Sequence, residues 1–229
     1  MKLLLFDIDG TLVLTGGAGL RALNRAFCQV VGIVNALDGM RLNGKTDPAI
    51  IREVFATRSG PSGGFESLEQ ILSAYVEFLP EEVHQSSHYK VLPGILSFLH
   101  EFHGRPNLAI GLATGNVERG ARIKLSRGKL NPFFAFGGFG SDAENRTDLV
   151  RRAAENGMRH AGTSIAACDT FVIGDTPRDI DAGREAGFRT VGVATSEFSI
   201  ADLLAAGADL VLSDFERDRD KFLRITGIQ

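Results

Sequence analysis

Five consecutive residues, Asp7-Ile8-Asp9-Gly10-Thr11, put two carboxylates one residue apart, directly after the apolar run Leu3-Leu4-Leu5-Phe6. Alternate side chains of an extended segment share a face, so Asp7 and Asp9 point the same way. Neighbouring carboxylates repel unless a cation or a shared proton lies between them. Such a pair can supply a nucleophile and a proton carrier, or ligands for a hard metal ion. Gly10 lets the backbone turn beside them. The competing reading, a turn with a helix cap, leaves Asp7 at the end of a buried strand unexplained.

Two further motifs follow apolar runs in the same way. Gly174-Asp175-Thr176-Pro177-Arg178-Asp179 comes after Phe171-Val172-Ile173 and leads into helical spacing. Asp175 stands at a strand end, and Asp179, one helical turn on, can face the same place. A helix cap ahead of Pro177 is the alternative for Asp175. Three or four acids converging at strand ends suit a hard divalent cation, and Mg²⁺, sharing its shell with water and phosphate, fits best. Leu112-Ala113-Thr114-Gly115-Asn116 ends a third apolar run in a small hydroxyl residue. The Thr114 hydroxyl and the backbone N–H groups freed at Gly115 and Asn116 can bind phosphate oxygens, or else cap a helix.

The elements that must position these groups alternate. Strands are expected over Leu3–Ile8, Asn107–Ala113, Phe171–Ile173, Thr190–Val193 and Leu210–Leu212, with a weaker one over Phe133–Phe136. Helices are expected over Asn116–Arg127, Asp148–Asn156, Pro177–Gly187 and Ile200–Ala206. This repeat implies an α/β fold, a mostly parallel sheet with helices on both faces. Residues 15–88 break the pattern. Leu20, Leu23 and Phe27, then Ile50, Ile51 and Val54, then Leu68, Ile71, Tyr75 and Leu79 have helical spacing and predict three packed helices, with a flexible loop over Ser59–Gly64. The core is therefore 1–14 and 89–229, and 15–88 is a helical insert. Gly16, Gly17 and Gly19 would hinge it.

Composition narrows the function. Twenty-five basic residues against 28 acidic leave a formal charge of −3 over 229 residues, which disfavours nucleic acid and anionic membranes as partners. No apolar run approaches the roughly 20 residues of a membrane span. Only four apolar residues separate Lys2 from Asp7, too few for a secretory signal, so the cytoplasm is the expected location. Cys28 and Cys168 make neither a disulfide framework nor a zinc site and read as small buried hydrophobes. His84 with His88, and His100 with His103, read as solvated or capping. The alternating run Glu216–Lys221 reads as the solvated face of a last helix.

The three motifs, in this order over Asp7 to Asp179, resemble the haloacid dehalogenase superfamily, specifically its C1-capped phosphatases of the phosphoglycolate phosphatase kind. The resemblance implies a Rossmann-like doubly wound parallel sheet, a C1 cap made by the helical insert, and Mg²⁺-dependent phosphoryl transfer. By that resemblance Asp7 is the nucleophile and Asp9 the general acid and base. The metal is held by Asp7, the main-chain carbonyl of Asp9 and Asp175, with Asp179 bound directly or through water. Thr114, Gly115 and Asn116 hold the transferring group. The family's lysine between the second and third motifs, usually in Lys-Pro, is absent. Arg146 takes its place, with Lys124 the alternative. Lys45 and Thr46, in Gly44-Lys45-Thr46-Asp47-Pro48, stand where a cap loop selects substrate. A helix cap from Thr46 or Asp47, with Lys45 facing solvent, is the plainer reading of that loop.

The expected reaction is hydrolysis of a small phosphorylated metabolite, phosphoglycolate being the natural candidate, by a monomer or homodimer. The same scaffold can carry sugar-phosphate mutase chemistry, or phosphonate cleavage through a Schiff base on Lys45. Dehalogenation is disfavoured by Asp9, an acid that displacing a halide does not use. A non-catalytic phosphate-sensing or partner-binding protein would have no chemical reason to keep the acidic set.

Overall fold

The computed structural model of the chain describes residues 1–59 and 65–228. Six strands form one parallel sheet: β1 (Lys2–Phe6), β4 (Leu108–Thr114), β5 (Gly137–Phe139), β6 (Thr170–Gly174), β7 (Arg189–Val193) and β8 (Leu210–Leu212), in the order β5-β4-β1-β6-β7-β8. The first strand thus lies centrally, with β4 on one side and β6 on the other. Leu4 is in register with both Ile110 and Phe171, and Phe6 with both Leu112 and Ile173. The chain fills one side of β1 with β4 and β5, then crosses to the other side for β6, β7 and β8, and this reversal opens a crevice at the carboxyl end of β1. Asp7 is the first residue there, and its N–H donates to the Ile173 carbonyl at 2.8 Å.

Strand alternation divides the core. Leu4, Phe6, Ile110, Leu112 and Ile173 face one layer with Phe98 and Phe215, from helix α4 (Ile95–Phe102) and the segment after β8. Leu3, Leu5, Ala113 and Val172 face the other, against Leu149 and Ala153 of α6 (Arg146–Ala161). The remaining helices of this part are α5 (Glu118–Ser126), α7 (Pro177–Glu185), α8 (Ile200–Ala205) and α9 (Arg219–Thr226).

Helices α1 (Ala18–Val31), α2 (Asp47–Val54, continued by a wider turn to Ser59) and α3 (Phe65–Gln85) build a separate apolar cluster around Ala22, Phe27, Ile51, Ile71 and Leu79. Val117 is the one buried contribution to it from residues 89–229 among those described. The chain runs into and out of this bundle on two short antiparallel strands, β2 (Val13–Leu14) and β3 (Lys90–Val91). No described helix is long and apolar enough to cross a membrane.

Several local expectations need correction. Phe133–Phe136 is not a strand. Asn131–Phe133 is a 3₁₀ turn, and β5 starts at Gly137. Its glycines hide it from a search for apolar runs, yet packing demands them: a Cβ on Gly138 would lie 2.3 Å from the Leu149 carbonyl oxygen. Helix α6 begins two residues earlier than expected because Asn145 Oδ1 accepts from the N–H groups of Thr147 and Asp148. Helix α5 begins two residues later than expected, because the Asn116 side chain is engaged elsewhere. Cys28 and Cys168 are exposed, on the outer side of α1 and in the turn before β6. His88 lies beyond the end of α3, so His84 and His88 do not share a helix. Of the Glu216–Lys221 run, only Arg219 onward is helical, and Asp218 folds back onto Ser213. The loop expected over Ser59–Gly64 lies, from Gly60 to Gly64, outside the described residues.

Candidate active site

The carboxyl ends of β1, β4 and β6 and the N-termini of α5, α6 and α7 meet below the helical bundle. Between them lies a chamber of about 480 Å³, lined by Asp7, Asp9, Asn116, Lys124, Arg146 and Asp175 and, from the bundle, by Lys45, Asp47 and Tyr75 among others.

At its floor, Asp7, Asp175 and Asp179 each offer a carboxylate oxygen, all within 4.8 Å of one another and all buried. Gly10 makes this possible. It holds a φ of +80°, and a Cβ there would fall 2.2 Å from Asp175 Oδ2. Asp175 also accepts from the Thr11 hydroxyl at 3.3 Å. Arg146, first residue of α6, reaches into the cluster. Its Nη2 lies 3.3 Å from Asp7 Oδ1 and is bonded to Asp179 Oδ1. The other oxygen of Asp179 accepts from the N–H and hydroxyl of Thr176, at 3.0 and 2.8 Å, and so caps α7.

The charges do not balance. Burial, together with Asp179 and Asp9, lifts the Asp7 carboxyl from an ordinary 3.8 to about 7, against the opposing pull of Arg146. Burial, then Asp179 and Asp7, likewise raises Asp175 well above the carboxylate range. Burial works against the Arg146 charge, but Asp179 and Asp7 outweigh it and keep the guanidinium protonated. Three oxygen donors with surplus negative charge are the donor set of a hard divalent cation, so the residues present fit Mg²⁺. Asp9 directs its carboxylate elsewhere, so any part it takes in such a site falls to its main chain.

Asp9 belongs to a second group. Its Oδ2 accepts from Lys124 Nζ at 2.6 Å and from Asn116 Nδ2 at 2.9 Å. Asn116 Oδ1 accepts from the same ammonium, and its Nδ2 also donates to the Thr114 hydroxyl oxygen at 2.8 Å. Thr114 is fully buried and its hydroxyl favours the charged form of Asp7, so it adjoins both groups. Lys124, on α5, is buried. Burial opposes its charge, and Asp9 and Asp47 more than compensate, holding the ammonium above the usual lysine range. Both candidate cations therefore lie in the site, on different carboxylates: Arg146 with Asp7 and Asp179, Lys124 with Asp9.

The loop before α2 touches this floor directly. The Asp47 N–H donates to the Gly115 carbonyl at 2.8 Å, and Asp47 Oδ2 accepts from the Val117 N–H at 2.8 Å. A residue of the bundle thus caps α5, whose N-terminal dipole favours the negative charge. Gly115 is required by proximity, since a Cβ there would meet the Lys45 carbonyl oxygen at 2.5 Å. Arg146 Nη1 donates to the Gly44 carbonyl at 3.1 Å. The two residues expected to select substrate are placed differently. The Lys45 ammonium pairs with Glu53 on α2. Thr46 is buried, caps α2 through Ala49 N, and donates to the Glu144 carbonyl at 3.3 Å, so its hydroxyl is not among the chamber lining. Asp47 and Tyr75, absent from the expected set, line the chamber together with Lys45. Burial and the nearby Asp47 keep the Tyr75 phenol neutral.

A family model described as haloacid dehalogenase-like hydrolase matches residues 4–193. Comparison with curated proteins gives no match. Among solved structures, a hydrolase from Pseudomonas syringae has a TM-score of 0.74 at 23% identity, over 98% of this chain and 99% of that one. CbbY from Rhodobacter sphaeroides, in complex with phosphate, has 0.73 at 20% identity, over 95% and 96%. A proposed β-phosphoglucomutase from Bacteroides vulgatus has 0.69 at 20%, over 99% and 89%. At these identities the likeness is one of fold.

Proposed function

The chain belongs to the haloacid dehalogenase-like hydrolases, and from that premise we propose that it is a Mg²⁺-dependent phosphomonoesterase acting on a small phosphorylated metabolite. The observation that carries the reading is Asp7. It ends the central strand, faces the chamber, and shares its surroundings with two further acids and one guanidinium. An Asp7 oxygen attacks phosphorus, the bond from phosphorus to the alcohol oxygen breaks, and an aspartyl-phosphate forms. Asp9 gives a proton to the departing alkoxide. It then takes one from a water that attacks phosphorus, breaks the bond to Asp7 and frees inorganic phosphate.

Thr114 and the N–H groups of Gly115 and Asn116 bind the phosphoryl oxygens. Arg146 offsets charge beside the nucleophile, and Lys124 with Asn116 orients Asp9. Asp7 and Asp175 would hold Mg²⁺, with Asp179 behind them anchoring Arg146. When bound, the ion neutralises phosphate charge and orients the phosphoryl group. Residues 15–88 act as the cap over the core of 1–14 and 89–229, and the seated Asp47 loop covers one side of the chamber. Phosphoglycolate is the candidate that the sequence resemblance names. A Schiff-base route through Lys45 gains nothing from its pairing with Glu53.

Phosphate release from a panel of phosphorylated metabolites tests the reading, with Mg²⁺ and with chelator. Release needs the metal and falls by at least about 10⁴-fold in Asp7→Asn, as expected when a nucleophile is removed. Metal-independent release, or full activity in Asp7→Asn, would count against it.

A further inference from the structure

We propose that the alcohol released from the substrate is uncharged and largely apolar. This rests on the phosphomonoesterase reading and narrows its substrate class. On the bundle side the chamber is walled by Leu20 and Leu23 of α1, Leu37 and Leu42 from the segment before α2, and Ile50 of α2. Apart from Tyr75 and the exposed His88, the polar side chains among them are already bonded within the protein. Asn43 donates to Glu197, Lys45 to Glu53 and Thr15 to Asp9, while Asp47 accepts from Val117 N. The surface left for a leaving group is therefore mainly leucine and isoleucine.

Charge points the same way. A leaving group with a carboxylate needs a cation to receive it. Lys45, Lys124 and Arg146 line the chamber, and each is matched to an acid: Glu53, Asp9, and Asp7 with Asp179. His88, the remaining basic lining residue, is solvent-exposed. Asp47 adds another carboxylate to the same space. A sugar fares no better, because hydroxyls set against leucine lose their bonds to water without replacement. A chamber of about 480 Å³ also exceeds the needs of a two-carbon acid. These features turn the site away from phosphoglycolate.

The test is phosphate release from straight-chain alkyl phosphates, ethyl to hexyl, whose alcohols leave with similar ease. Phosphoglycolate, glucose 6-phosphate and acetyl phosphate are run alongside, all with Mg²⁺. The expected result is a kcat/KM that rises about four-fold per methylene, the worth of one buried CH₂. Hexyl phosphate should exceed phosphoglycolate and glucose 6-phosphate at least about ten-fold. Leu20→Arg, at a position 44% exposed and so tolerant of charge, should flatten the series. Turnover of acetyl phosphate with a flat or falling alkyl series would overturn this inference and leave the phosphomonoesterase reading standing. So would a series unchanged in Leu20→Arg, or preference for phosphoglycolate or the sugar phosphate. No release from any compound, acetyl phosphate included, would overturn both.

Discussion

The two ends of the chamber each pair an aspartate with a buried cation, and they differ in exposure and in company. At the phosphoryl end, the Asp7 side chain is 9% exposed and stands among Asp175, Asp179 and Arg146. At the other end, the Asp9 side chain is 40% exposed and held by Lys124 and Asn116. Two residues of one type, two positions apart, thus receive different tasks from their neighbours. The crowded acid is suited to metal and phosphorus; the acid with one ammonium and open space beside it is suited to moving a proton.

The sharpest way to break this division is to remove the two cations in turn. Arg146→Ala should lower kcat/KM by about 10²–10³-fold for every substrate, whatever its leaving group, because it stabilises charge at phosphorus. Lys124→Met should cost about 10²-fold for alkyl phosphates, whose alkoxides need a proton, and far less for acetyl phosphate. A plot of log kcat/KM against leaving-group acidity would be displaced by the first change and steepened by the second. Equal displacement by both would merge the two ends into one.

A smaller effect separates the ends by stability. In chelator, the folded chain keeps a proton on Asp7 up to about pH 7, whereas the unfolded chain releases it near 3.8. That contribution is complete below the unfolded value and is lost as the pH rises through 7, so metal-free stability falls over this window. The loss is on the order of a few kcal/mol, about 5–10 °C in Tm for a chain of this size. Calorimetry in chelator from pH 5 to 8 should show the fall for the wild type and for Lys124→Met, and a shallower one for Asp7→Asn. Mg²⁺ should restore most at high pH, where its ligands are already deprotonated.

Smallest of all is the rim. Arg52 pairs with Glu144 at 2.9 Å across the seam between bundle and core, both half-exposed. Arg52→Ala should change stability by less than about 1 kcal/mol and kcat by less than about two-fold. A larger effect in either measurement would give the seam a share in what the two ends do.

Much of the phosphoryl end is legible in the chain. Asp7 and Asp175 follow short apolar runs, Asp179 comes one helical turn after Asp175, and a parallel sheet brings strand ends together wherever those runs pair. The sheet itself was legible wherever its strands are aliphatic, and illegible at β5, whose glycines answer to packing. The other end was harder. Arg146 and Lys124 compete for one role on paper, because sequence spacing does not say which carboxylate each side chain reaches. Asp47 and Tyr75 stayed hidden for a different reason. A helix cap accounts for an aspartate before proline, and an apolar stripe accounts for a tyrosine, so neither left a residue needing explanation. Their part in the chamber comes from how the bundle sits on the core.

The Asp47 loop has a consequence for observing the protein at work. The amides of Asp47 and Val117 are each tied across the seam, one to Gly115 and one to the Asp47 carboxylate. Any lifting of the loop frees both together. Their exchange with deuterium therefore counts openings of the chamber, one turn of the gate at a time, and a ligand that dwells inside would slow both clocks by the same factor.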